Sequence, residues 1–214
     1  MKILITAGPT QEPIDPVRFI SNHSSGKMGI ALAEEFATRG NEVVLVKGPA
    51  DLNAGNSSIK TISVTTAEEM FKAASQYFSQ SDVIVFAAAV ADYTPKNPSA
   101  VKIKKKENEF ILELVKTKDI ALELSHAKRE NQITVGFALE TDNELKHAKE
   151  KLVKKNFDFI VLNSMRDAGA GFKTDTNKIS ILDKHGNTTT FDLKPKTETA
   201  KDIADYVQKI LNTK

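Results

Sequence analysis

The sequence predicts an α/β protein built on a doubly wound, mostly parallel sheet, and three observations predict it. Six short apolar runs recur along the 214 residues, at 3–6, 42–46, 61–64, 82–90, 132–138 and 158–163, with helix-like stretches between them. The runs are apolar throughout instead of alternating, as strands covered by helices on both faces must be. The first intervening stretch follows a turn rich in glycine and serine and stops at Gly40, the punctuation of a helix.

The elements follow in order. "MKILITAGPT" has an apolar stretch too short for a signal-peptide core or a bilayer span, so it reads as the first strand. A helix over 27–39 places Leu32 and Phe36 on one face. "EVVLV" and "TISV" are the next strands, and Thr66 with Glu69 three residues later forms a capping box that starts the second helix. "DVIVFAAAV" (82–90) is the strongest strand. Residues 102–117 read as a basic turn leading into a strand, and "QITVGFA" follows. A helix then puts Lys151 and Lys155 along one flank, beside a stripe of Leu145, Ala148 and Leu152. "DFIVLN" ends at Asn163, where a loop containing Gly169 and Gly171 reads as a turn or flap. Residues 177–193 form a hairpin around His185-Gly186-Asn187. The whole is expected to be one domain over 1–214, a Rossmann-like sheet with helices on both faces, a C-terminal β-hairpin and a basic lid segment.

Composition narrows the chemistry. With no cysteine there is no disulfide, no thiolate metal site and no cysteine nucleophile, and a cytoplasmic setting is expected. A formal net charge of +2 calls for no nucleic acid or membrane partner, although lysine is dense at 102–106 and 146–155. The four histidines, His23, His126, His147 and His185, show no metal-ligand spacing, so no zinc site is expected.

"RFISNHSSGKMG" (18–29) looks like a phosphate-binding turn but is neither of the two common kinds. A Walker A loop requires Ser or Thr after Gly-Lys, and Met28 stands there. A dinucleotide fingerprint requires glycines directly after the first strand and an acid ending the second, where this chain has Ala7-Gly8-Pro9-Thr10 and Lys47. None of Tyr77, Tyr93 and Tyr206 has the lysine four residues on that a short-chain reductase uses. What remains is a set of backbone N–H groups, from Ser24, Ser25, Gly26, Lys27, Met28 and Gly29, that can surround an anion at a helix start. Alternatively, Gly26 and Gly29 only let the helix lie close to the sheet. "AAAVADYTP" (87–95) places small residues at the carboxyl edge of a strand, where Asp92 would hold Mg²⁺ or a ribose, or would merely cap a turn. "KIKKK" (102–106) reads as a solvated edge, or as a lid carrying Lys102 onto a phosphate.

Taken together, "ITAGPTQEPIDPVRFISNHSSGKMG", "AAAVADYTP", "KIKK", "VGFALET" and "GFKTDTN" resemble the phosphopantothenoylcysteine synthetase family, in that family's order and over nearly the whole chain. The family usually has a second alanine where Leu139 stands. In many bacteria this domain is the second half of a fusion whose first half is a flavin-dependent decarboxylase; the chain resembles the synthetase half alone, so neither flavin nor decarboxylase activity is expected.

The resemblance implies a ligase of coenzyme A biosynthesis. The carboxylate of 4'-phosphopantothenate attacks the α-phosphate of CTP, releasing pyrophosphate, and the amine of L-cysteine then displaces CMP from the acyl-cytidylate, with Mg²⁺ on the triphosphate. Eukaryotic members tend to use ATP. By matching motifs, Asn22 serves the second half-reaction, and Arg18, placed one helical turn before it, helps hold the acyl nucleotide. Lys102 serves nucleotidyl transfer. Asp92, Lys118, Asp119, Ile120, Ala121, Phe137, Lys151 and Lys155 match nucleotide-contacting positions, and Ala88 and Ala89 present backbone groups to substrate. A homodimer is implied, with the hairpin 177–193 or the lysine lid crossing its interface. Two other functions stay open on the residues alone: an NAD(P)-dependent reductase and a non-catalytic nucleotide sensor.

Overall fold

A computed structural model describes residues 1–105, 109–140, 142–164 and 174–213. Its centre is an eight-stranded sheet. The opening run forms β1 (Lys2–Ala7), followed by a short ribbon of β2 (Gln11–Pro13) and β3 (Phe19–Ser21). Helix α1 (Lys27–Thr38) returns to β4 (Glu42–Lys47), β5 (Lys60–Ser63) follows, and α2 (Ala67–Phe78) crosses to β6 (Val83–Phe86). A second ribbon pairs β7 (Tyr93–Pro95) with β8 (Leu114–Lys116). Then come α3 (Ile120–Ser125), β9 (Ile133–Glu140), α4 (Glu144–Lys154), β10 (Phe159–Ser164), β11 (Thr176–Asn177), β12 (Ile179–Asp183), β13 (Thr188–Thr190), β14 (Lys194–Pro195) and α5 (Lys196–Thr213).

The strand order is β13-β12-β10-β9-β6-β1-β4-β5, parallel from β5 through β10, with β12 and β13 adding an antiparallel edge. The chain winds outward from β1 through β4 to β5, then returns to lay β6 on the other side of β1. The order therefore reverses beside β1, the place where open α/β sheets leave a crevice at the strands' carboxyl ends. Alternation along β1 divides the core. Ile3, Ile5 and Ala7 pack under α1 and α5, with Leu32 and Phe36 from one and Ile203 and Val207 from the other. Leu4 faces α2 and α3, which contribute Met70, Ala74 and Leu124.

Most predicted elements stand within a residue or two of their expected bounds, and the hairpin expected over 177–193 forms from β12 and β13, with Asn177 in β11 instead, but three further details differ. The strand expected over 82–90 ends at Phe86, where the regular ladder gives way to an isolated parallel bridge between Pro9 and Ala89 and to side-chain partners. The amide of Ala89 donates to Gly8 O at 2.9 Å, that of Ala91 to Thr10 Oγ1 at 3.0 Å, and Asn22 Nδ2 donates to the carbonyls of Ala89 and Val90. Leu145, expected in the buried stripe of α4, is 52% exposed, and only Ala148 and Leu152 of that stripe reach the core. Arg18 is not one helical turn from Asn22, since β3 lies between them and four extended residues span about 13 Å. Lys106, Thr141 and the loop glycines Gly169 and Gly171 lie outside the described residues.

Candidate functional site

A cavity of about 740 Å³ opens at the carboxyl ends of β1, β6 and β9, within the usual size of a small-molecule site. Its lining brings together Asn22, Ser24, Ser25, Gly26, Lys27, Met28, Gly29, Ala88, Ala89, Asp92, Lys118, Asp119, Ile120, Ala121, Phe137, Lys151 and Lys155. These residues are scattered over more than 130 positions, yet the crossovers deliver them to one edge. Arg18 and Lys102 are not among the lining residues.

The two glycines of the helix start are constrained in different ways. Gly26 is the N-cap of α1 with φ of 74°, a left-handed conformation that favours glycine, and it leaves the first N–H groups of α1 facing the cavity. Gly29 has no such conformational need. A Cβ there would lie 2.5 Å from that of Ala7, so its absence lets α1 approach β1.

The "GPT", "SN" and "AAAVAD" segments are knitted together. Thr10, fully buried, accepts from Ala91 N, and Ser21 Oγ donates to Thr10 O at 2.7 Å. Asn22 Nδ2 donates to Ala89 O at 3.2 Å and Val90 O at 3.0 Å, which fixes its amide at the mouth of the β6 loop. Thr117 then ties the next segment in, donating from Oγ1 to Ala91 O at 2.6 Å and from its amide to Asp92 O at 3.0 Å. Beyond it Asp119 caps α3, accepting from Leu122 N, and the same oxygen holds Lys155 at 3.0 Å. Phe137, on β9, supplies an apolar wall.

The lining is strongly cationic: Lys27, Lys116, Lys118, Lys151, Lys154, Lys155 and Lys196 face two carboxylates, Asp92 and Asp119. A low-dielectric cleft lined by one sign of charge concentrates a ligand of the other, so the site suits a polyanion. Not every ammonium points inward. Lys118 pairs with Glu68 at 3.3 Å and stands over the Phe71 ring, and Lys27 pairs with Asp175, whose carboxyl that ammonium holds below the usual range. Lys116, Lys154 and Lys196 line the cavity without having been singled out in the sequence, and Asn163 and Asn177, read there only as a loop start and a motif end, line it too. They are the first, last or next-to-last residues of their strands and helices, and such positions carry no periodic signal.

Arg18 and the lid are tied elsewhere. Arg18 grips Asp15 through Nε at 3.0 Å and through its second nitrogen, which also donates to Ile103 O at 3.0 Å. The amide of Ile103 donates back to Asp15 Oδ2 at 3.1 Å. The Arg18 guanidinium holds the Asp15 carboxyl well below the ordinary carboxylate range, against its burial. Arg18 thereby anchors the root of the lysine segment next to Lys102, itself exposed.

Where a dinucleotide-binding sheet would end its second strand with an acid, Lys47 is 6% exposed and donates to Ala50 O, Leu52 O and Asn53 Oδ1, each at 2.9 Å. It pins the β4–β5 loop and offers a ribose no acceptor.

A doubly wound sheet with a cation-lined cleft at its switch point, headed by a helix start, defines an open α/β protein whose cleft suits an anion. The chain belongs to the DNA/pantothenate metabolism flavoprotein C-terminal domain family, whose model matches residues 1–211. It is 52% identical over 210 residues to a prokaryotic "Cysteine/Cysteine sulfinic acid decarboxylase", covering 98% of this chain and 58% of that protein. It is 42% identical over 207 residues to the coenzyme A biosynthesis bifunctional protein CoaBC of Haemophilus influenzae, covering 97% of this chain and 51% of that one. The chain thus spans little more than half the length of these relatives. The crystal structure of the C-terminal domain of a CoaBC protein matches with a TM-score of 0.84 at 38% identity, over all of this chain and 96% of the other. Among the described residues no helix is long and apolar enough to cross a membrane.

Proposed function

We propose that the protein is a phosphopantothenate–cysteine ligase that activates its acid substrate as an acyl-cytidylate. The observation that carries this reading is the seven-lysine cavity at the α1 N-terminus, lined by the motif residues shared with the synthetase family. The match to the C-terminal domain of a CoaBC protein supports it.

In the first step a carboxylate oxygen of 4'-phosphopantothenate bonds to the α-phosphorus of CTP and pyrophosphate leaves. In the second the amine of L-cysteine adds to the acyl carbonyl and CMP departs with the carbon–oxygen bond pair. Neither step needs a protein nucleophile; positioning and charge stabilisation supply the catalysis. The helix start and its lysines hold phosphate oxygens, the 118–121 segment and Phe137 enclose the base, and the Ala88 and Ala89 backbone orients the acyl chain. Asn22, on releasing one of its two N–H groups from the Ala89 or Val90 carbonyl, donates to the acyl oxygen, and Lys102 acts on the transferring phosphoryl group from the lid. Asp92, exposed at the cavity wall, is the carboxylate that would hold Mg²⁺, an ion commonly bound through one or two carboxylates and substrate phosphates. Bound there, Mg²⁺ would neutralise triphosphate charge.

The reading includes a homodimer that brings Lys102 to a site. Val17, Phe19, Val101, Leu114 and Val115 lie exposed on and beside the two small ribbons, an apolar surface suited to a second copy. Light scattering is expected to give twice the chain mass.

The test is a complete mixture of enzyme, Mg²⁺, phosphopantothenate and cysteine with each nucleoside triphosphate in turn. CTP is expected to yield pyrophosphate, CMP and the amide product together. Amide formation with ATP alone would correct the nucleotide, and turnover with none would sink the ligase.

A further inference from the structure

One wall of the cavity carries Asn177, the last residue of β11, and Lys196, the first residue of α5. Lys196 opens that helix, is 7% exposed, and donates from Nζ to Thr174 O. Burial and then the neighbouring Lys27 ammonium push its pKa below the ordinary lysine range, with Asp175 opposing. Lys27 is the first residue of α1, so two mutually repelling ammonium groups stand beside the positive end of a helix dipole. The carboxylate that counters them, Asp175, has a side chain 85% exposed to water.

Asn177 supplies a separate observation. It is 1% exposed and lines the same cavity, yet its amide lacks a strong partner. Nδ2 donates to Met28 Sδ at 3.3 Å, a weak acceptor, and among the described residues Oδ1 has no hydrogen-bond partner. A buried amide in that condition carries a desolvation penalty. Since a half-turn of the side chain interchanges its two ends, Nδ2–H can take the unpartnered position and donate to a ligand oxygen, which Oδ1, an acceptor, cannot meet. Because Met28 is the second residue of α1, this donor lies at the helix's first turn.

We propose that Lys196 and Asn177 hold the pyrophosphate portion of the nucleoside triphosphate at the start of α1 and take up its charge as it leaves. The proposal rests on the ligase reading above. As the substrate carboxylate bonds to the α-phosphorus, the bond from that phosphorus to the bridging oxygen breaks and its electron pair departs on pyrophosphate. Donors on the departing side stabilise the charge that grows there. Lys196 gives that charge a poorly hydrated cation, and Asn177 turns its N–H from a thioether to a phosphate oxygen.

The test titrates inorganic pyrophosphate and CMP separately into the full chain by calorimetry. Lys196→Gln is expected to weaken pyrophosphate about tenfold or more and leave CMP within about twofold, while Lys196→Arg restores most of the loss. Asn177→Asp, which sets a carboxylate beside the seat, is expected to act in the same direction. Lys201→Gln, which removes an exposed lysine paired with Glu198, should change neither ligand. Pyrophosphate binding unchanged in both site variants, equal loss of both ligands, or no pyrophosphate binding by the wild type overturns the proposal. Should Lys196→Gln not fold, Asn177→Asp decides on the same criteria. A wild type that binds pyrophosphate but makes no amide with any triphosphate sinks the ligase reading and leaves the seat standing.

Discussion

Gly29 and Asn22 show how single positions carry different kinds of constraint. A Cβ at Gly29 would fall 2.5 Å from that of Ala7 and 3.2 Å from its Cα, so Gly29→Ala must push α1 away from β1. Overpacking of this kind costs about 1–3 kcal/mol, and a urea midpoint below that of wild type is the expected measurement. Affinity for the nucleotide should fall with it, since the same shift moves the helix start. Asn22 is exposed, and its constraint is chemical. It is held by the Ala89 and Val90 carbonyls at the point where the acyl group would lie. Asn22→Ala is expected to keep pyrophosphate release on mixing CTP with phosphopantothenate, and to slow amide formation about a hundredfold or more. Lys102→Gln should instead fail at pyrophosphate release. Wild-type amide formation by Asn22→Ala would show that its assigned role is wrong.

Local signals explain which elements were legible. The apolar runs gave the parallel strands because burial on both faces leaves no alternation to misread, and Thr66 with Glu69 gave the start of α2. The capping box is complete: Thr66 Oγ1 accepts from Glu69 N at 3.2 Å, and Glu69 Oε2 accepts from Thr66 N at 3.3 Å. Thr66→Ala is expected to lower stability by about 1 kcal/mol, read as a shift in thermal midpoint, with little effect on ligand binding. The short ribbons were less legible, since two or three residues carry no period. The C-terminal helix went unread although Ala200, Ile203, Ala204 and Val207 repeat at helical spacing and are buried against α1 and the sheet. In the site, the motif residues were legible one by one. Their convergence was not, because it depends on the strand order. Lys196 and Asn177 belong to the same lesson, for the β11–β14 pairing that brings them to the cavity joins residues 17 or more positions apart through a register of two residues.

At the scale of the whole molecule, the edge opposite the helix start is secured by one buried charge. Asp158, 1% exposed, accepts from Lys128 at 2.8 Å, from Lys184 at 2.8 Å and from Thr134 N at 2.9 Å, joining the starts of β9 and β10 to the turn after β12. Burial alone would raise its carboxyl pKa, but the two ammonium groups and the N–H hold it below the ordinary value. A depressed carboxylate contributes stability that is fully present above the unfolded-state value of about 4 and is lost as pH falls through the folded value. Asp158→Asn removes the buried charge that faces Lys128, whose side chain is 9% exposed, and at neutral pH should cost about 3 kcal/mol. The gap between wild type and variant in urea unfolding should hold from pH 7 to about pH 5 and narrow as the pH falls below about 4. A gap that stays constant to pH 3 would mean that Asp158 acts through packing and hydrogen bonds alone. Because this network and the cavity lie at opposite ends of the same strands, CTP binding by the folded variant should match wild type, which separates loss of the scaffold from loss of the site.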